Sequence, residues 1–137
     1  MSANNFFIDT GALYAFVDRS DAEHKKVVNI LKSQDERFVT SNYVVDELIT
    51  LFRFRKIPFE KFSPFIDSLW NEEICSIIRV TQEIDLAAWA LMKKYQDHHF
   101  SFTDCTSFVL MREYAIQKVC SMDEHFQVMG FDVYPKS

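Results

Sequence analysis

Short runs of β-branched and aromatic residues alternate along this chain with longer stretches of helical periodicity. Residues 6–8 form an apolar run that ends in Asp-Thr-Gly. Residues 21–34 then read as a helix, with Val27, Val28 and Leu31 on one face and Lys25, Lys26 and Lys32 elsewhere. A strand is expected at 37–40 and a helix at 42–55, with Val44, Val45, Leu48, Ile49 and Phe52 turned inward. Pro58 suits the first position of a helix running to 70. Residues 74–80 read as a strand. Thr81 can cap a helix to about 96, whose stripe is Ile84, Ala88, Leu91 and Tyr95. A helix at 101–114, a strand at 118–121, a short helix at 123–129 closed by Gly130, and a strand at 131–134 complete the pattern.

Strands separated by helices predict an α/β fold: a three-layer sandwich with a central, mainly parallel sheet flanked by helices, because parallel neighbours need crossover connections. In such folds ligands gather at the carboxyl ends of the strands. Those positions carry acids. Asp9 follows the first strand, Glu47 lies two turns into the helix after the second, Asp104 lies in the first turn of the 101–114 helix, and Asp123 follows the 118–121 strand. Each has an ordinary structural explanation. Asp9 and Asp123 could be helix N-caps, Ser101-Phe-Thr-Asp104 resembles a capping box, and Glu47 could face solvent. Together at one sheet edge they point elsewhere. Like charges a few ångströms apart raise one another's pKa, and such a cluster is stabilised by a hard divalent cation with oxygen ligands.

The strings around these acids resemble the PIN domain family. They are Phe7-Ile8-Asp9-Thr10-Gly11-Ala12-Leu13, Ser41-Asn42-Tyr43-Val44-Val45-Asp46-Glu47-Leu48, Ser101-Phe102-Thr103-Asp104-Cys105, and Val119-Cys120-Ser121-Met122-Asp123-Glu124-His125-Phe126. Their order and spacing match from about residue 6 to residue 134. The resemblance implies a metal-dependent ribonuclease spanning 1–137 as one PIN-like domain. It also implies that Asp9, Glu47, Asp104 and Asp123 hold one or two Mg²⁺ or Mn²⁺ ions and cut single-stranded RNA to 5′-phosphate and 3′-hydroxyl ends. Members of this size are often VapC-type toxins, held inactive by an antitoxin protein and commonly homodimeric. Thr10 and Ser121 fall at the family's hydroxyl positions, where they would orient carboxylates or water, or simply cap helices. Ser121 stands where Thr is commoner and Cys105 where Ala is usual. Asp46 should turn about 100° away from Glu47 along the helix.

Composition narrows the alternatives. The chain has 137 residues, and 48% of them are hydrophobic, which excludes disorder. Twenty-six percent are charged, no apolar run reaches membrane-spanning length, and no signal peptide is read. Three widely spaced cysteines, Cys75, Cys105 and Cys120, fit reduced core residues and a cytoplasmic location rather than a disulfide framework or a zinc site. Only two glycines occur, where average usage of about 7% predicts roughly nine or ten. That excludes a glycine-rich phosphate loop. It also argues against an aspartic protease, whose active-site string Phe-Ile-Asp-Thr-Gly-Ala also matches but whose fold is nearly all β. A phosphoacceptor receiver domain lacks its central acid here, since Val80-Thr81 follows the third strand. The remaining alternative is a PIN fold used as a non-catalytic protein- or RNA-binding module.

The net charge of −5 argues at first against a nucleic-acid partner. Two divalent ions would bring it near −1, so the acidity instead predicts RNA binding that depends on metal. Arg53, Arg55, Lys56 and Arg112 are candidates for phosphate contacts, and His98–His99 for a solvated loop. No histidine relay is expected. Of the 14 phenylalanines, Phe52, Phe54, Phe59, Phe62 and Phe65 could serve either the core or an interface.

Overall fold

A computed structural model describes residues 5–33 and 35–136. The elements run β1 (Asn5–Ile8), α1 (Thr10–Val17), α2 (His24–Leu31), β2 (Arg37–Ser41), α3 (Asn42–Phe54), α4 (Phe59–Trp70), β3 (Ser76–Ile78), α5 (Gln82–Lys94), α6 (Phe102–Glu113), β4 (Lys118–Cys120), α7 (His125–Val128) and β5 (Asp132–Tyr134). The five strands form one sheet in the order β3-β2-β1-β4-β5. Every pairing is parallel, with Phe7 opposite Val39 on one side and Val119 on the other. The expected α/β architecture is therefore present, and the helices supply the crossovers.

The strand order fixes where a site can form. The chain lays down β2 and β3 on one side of β1, then crosses back to place β4 and β5 on the other. The order reverses between β1 and β4. Connections there diverge to opposite faces and leave a crevice beyond the carboxyl ends of the two strands.

Helix α1 was not legible in the sequence. Its residues Thr10, Ala12, Leu13, Tyr14 and Ala15 are all buried, so it shows no polar face and no stripe. The 21–34 helix is shorter than expected. Asp18 and Asp21 each accept the N–H two residues on, which makes turns before α2 begins at His24, and Gln34 lies outside the described residues. Thr81 makes the cap expected of it, and Ser41 makes a further one. Ser41 accepts the Val44 N–H at 3.1 Å and Thr81 that of Ile84 at 3.2 Å. At α7 the Asp123 carboxylate takes the His125 N–H, and the helix starts two residues later than expected.

The core is heavy in rings, as the composition suggested. Phe52 stacks on Phe62 at 4.8 Å, and Phe108 meets Phe126 edge-on at 5.0 Å. Phe65 is partly buried against this core, while Phe54 and Phe59 are exposed. Cys75, Cys105 and Cys120 are free and buried. Among the described residues no helix is long and apolar enough to cross a membrane.

Four helices end in the same way. After α3, α4, α6 and α7 a residue with positive φ turns the chain, and the next N–H returns to the carbonyl five residues back. Gly130 holds this left-handed position after α7, as expected. Lys56, Glu72 and Ala115 hold the other three. The shortage of glycine is thus met by side-chain-bearing residues in a conformation that costs each of them about 1–2 kcal/mol.

Candidate active site

Asp9 ends β1 and stands at the N-cap of α1, but its side chain makes no capping bond. Its backbone N–H donates to the Cys120 carbonyl, closing the β1–β4 edge, and its carboxylate turns into the crevice. Oδ2 accepts from Ser121 Oγ at 3.1 Å, and Oδ1 is buried without a hydrogen-bond partner. The residue is 4% exposed. The capping explanation for Asp9 therefore does not hold.

Thr10, the next residue, donates its hydroxyl to Glu47 Oε1 at 2.5 Å. This bond ties the first turn of α1 to the second turn of α3 and fixes a carboxylate that would otherwise sample solvent. Asp46 is exposed on the other side of α3, as helix geometry requires. Asp104 does form the capping box. Its Oδ2 accepts the Ser101 N–H at 3.0 Å, while Ser101 Oγ accepts the Asp104 N–H at 3.0 Å. The same Oδ2 lies 3.0 Å from His125 Nδ1, so capping and the site share one oxygen. Asp123 follows β4. Its N–H donates to Ser121 Oγ, which lets one hydroxyl brace both Asp9 and the Asp123 turn.

Asp9, Glu47, Asp104 and Asp123 all line one cleft of about 690 Å³ at the β1/β4 reversal. Burial pushes the Asp9 carboxyl up to about 7, helped by the charges of Asp104 and Glu47. Glu47 is also raised, first by burial and then by Asp104 and Asp123, against the opposing pull of the Thr10 hydroxyl.

His125 was missed. Its Nδ1 lies 3.0 Å from Asp104 Oδ2 and 3.1 Å from Asp123 Oδ2, and ligand atoms of the three residues lie within 4.8 Å of one another. Only its position two residues after Asp123 hinted at this. The basic residues offered for phosphate contacts do not line the cleft. Arg53 lies over Phe59, Arg55 over Tyr14 at 4.4 Å, and Arg112 over Phe131 with a bond to the Met129 carbonyl, while Lys56 occupies a helix end. Among the described residues that line the cleft there is no Lys or Arg; His99 and His125 accompany five acids, the fifth being Glu124.

A buried carboxylate oxygen with no partner, in a cleft lined by five acids and no Lys or Arg, suits an oxygen-preferring divalent ion. A model of the PIN domain family matches residues 6–132. The chain belongs to the PIN domain family. Among solved structures, this PIN domain is similar to that of VapC20 from Mycobacterium tuberculosis, described as a sarcin-ricin-loop cleaving toxin. The TM-score is 0.85 at 27% identity, over 95% of this chain and 99% of that one. A VapC ribonuclease of Archaeoglobus fulgidus is 28% identical over 126 residues, 88% of this chain and 78% of the relative. VapBC-1 from nontypeable Haemophilus influenzae shares the fold with a TM-score of 0.64 at 18% identity.

Proposed function

We propose that this PIN domain is an endoribonuclease that hydrolyses phosphodiester bonds of single-stranded RNA with Mg²⁺ or Mn²⁺, and that it is the toxin of a toxin–antitoxin pair. The observation that carries the reading is the Asp9 carboxylate, buried with Oδ1 unpaired in a cleft it shares with Glu47, Asp104 and Asp123. A non-catalytic binding module has no use for so costly a group. The kinship supports the reaction class, since relatives matching along most of the chain are named ribonucleases or endonucleases.

Asp9, Glu47, Asp104 and Asp123 would hold the ion or ions. Bound there, they supply the positive charge the cleft lacks and Lewis acidity toward a phosphodiester. The chain's own part is to hold the carboxylates in place. Ser121 pins Asp9, Thr10 pins Glu47, and His125 sits between Asp104 and Asp123. The Asp9 Oδ1 oxygen is buried away from water. An antitoxin protein, a homodimer using exposed Phe54 and Phe59, and a cytoplasmic setting that keeps the three thiols reduced complete the proposal.

The test is cleavage of a single-stranded RNA by wild type and by Asp104→Asn with Mn²⁺, with Mg²⁺ and with EDTA. The reading expects metal-dependent cutting that the substitution and EDTA each abolish. Cutting by Asp104→Asn at near wild-type rate, or cutting in EDTA, would sink it.

A further inference from the structure

Beside the acid cleft lies a second, smaller cavity of about 350 Å³, lined by Trp89, Met92, Lys93, Gln96 and His98. His98 lines this cavity and His99, the next residue, lines the cleft, so the two sites meet at consecutive residues. The wall between them is aromatic. The His98 ring stacks on Phe100 at 5.0 Å and 28°, and Phe100 meets His125 edge-on at 5.0 Å. Asp97 lies 3.1 Å from His98 Nδ1 and fixes the plane of that ring. Trp89 is 53% exposed, and Leu86 one turn earlier on α5 is exposed too. Lys93 Nζ stands 5.9 Å from the Trp89 ring centre and Lys94 Nζ 5.5 Å from that of Tyr95. A cation, Lys93, therefore sits at this cavity, whereas no Lys or Arg lines the cleft.

We propose that this cavity binds one unpaired nucleobase of the RNA, adjacent to the phosphodiester held in the cleft. The proposal rests on the ribonuclease reading and names how the substrate is gripped. Trp89 and His98 offer ring faces on which a base stacks, Met92 adapts to its outline, and Lys93 neutralises the attached phosphate. Stacking of this kind tolerates any base, because each has a π face. Preference then follows ring size rather than hydrogen-bond pattern. The acid cleft alone repels RNA, so grip beside it answers a need that the site itself creates.

Trp70→Phe leaves Trp89 as the sole indole of the two. In that background, stopped-flow fluorescence follows binding of a single-stranded RNA hexamer before cutting. The hexamer should quench Trp89, and an abasic ribose-phosphate hexamer should not. In steady-state cleavage, Trp89→Ala should raise KM roughly 5- to 100-fold with kcat changed by no more than about 2-fold, and Trp89→Phe should recover most of the loss. Unchanged KM in Trp89→Ala, or equal quenching by the abasic strand, overturns the proposal. So does a dimer that Trp89→Ala converts to monomer, which would assign this face to a second copy of the chain. If wild type cuts no RNA yet the hexamer still quenches Trp89, the ribonuclease reading fails and the base site stands. If RNA is cut and Trp89 is silent, the base site alone fails.

Discussion

Replacing Asp9 by Asn should stabilise the metal-free protein at alkaline pH while destroying its proposed activity. The folded protein holds the Asp9 carboxyl at about 7 against an ordinary 3.8. A raised carboxyl means that the native state binds the proton more tightly than the unfolded chain. Stability from this group is therefore complete below about pH 3.8 and is lost as pH climbs to 7. At about 1.4 kcal/mol per pH unit, the full loss is about 4 kcal/mol by pH 8. Asn is neutral throughout and nearly isosteric, and its amide can donate toward Glu47 or Asp104 where Oδ1 now has no partner. Urea denaturation of both proteins in EDTA should show a gap below about 1 kcal/mol near pH 4, widening to about 2–4 kcal/mol at pH 8. In thermal melts that gap is about 6–12 °C for a chain of this size. Added Mn²⁺ at one hundred times its dissociation constant should narrow the gap at pH 8 by about 2.7 kcal/mol, since only wild type gains from it. A gap that does not vary with pH, or an Asn variant less stable than wild type at pH 8, would refute the reasoning.

Three further outcomes are expected. Ala115→Gly should stabilise the fold by about 0.5–1 kcal/mol in urea titration, because Ala115 holds φ 55° at the end of α6, and Ala115→Val should destabilise it. His125→Ala should raise the Mn²⁺ concentration needed for half-maximal cleavage by about 10- to 100-fold, as loss of a group that orients metal-binding carboxylates does, with little change in melting temperature. Cys75, Cys105 and Cys120 should resist thiol reagents at pH 8 until denaturant is added. Burial pushes Cys75 and Cys120 up to about 12 and Cys105 up to about 11, and all three side chains are enclosed.

What the sequence disclosed was whatever chemistry acts locally. Thr81 and Ser101 announce helices because a cap bonds an N–H three residues away, and each makes that bond. The four acids were legible because strand ends converge in a parallel sheet, whatever the details of packing. Helix α1 was hidden because a helix buried all round has no period to detect. The ends of α3, α4 and α6 were legible to within a residue, but the left-handed turns that follow them were hidden because Lys56, Glu72 and Ala115 stand where glycine is the usual sign. His125 joins the site only through contacts with Asp104, 21 positions away, and with Asp123 across the α7 turn. Arg53, Arg55 and Arg112 carry the right charge, but each cation lies over a ring instead of facing the cleft.

The bond from Ser121 to Asp9 spans 112 positions. Half of the acid cleft is thus synthesised before α4 and half after α5. While the ribosome is still making α5 or α6, Asp9 and Glu47 exist but β4 does not, and no site can assemble beside the very RNA that surrounds the nascent chain. The strand order acts as a delay. It withholds the cleft until β4 has been translated.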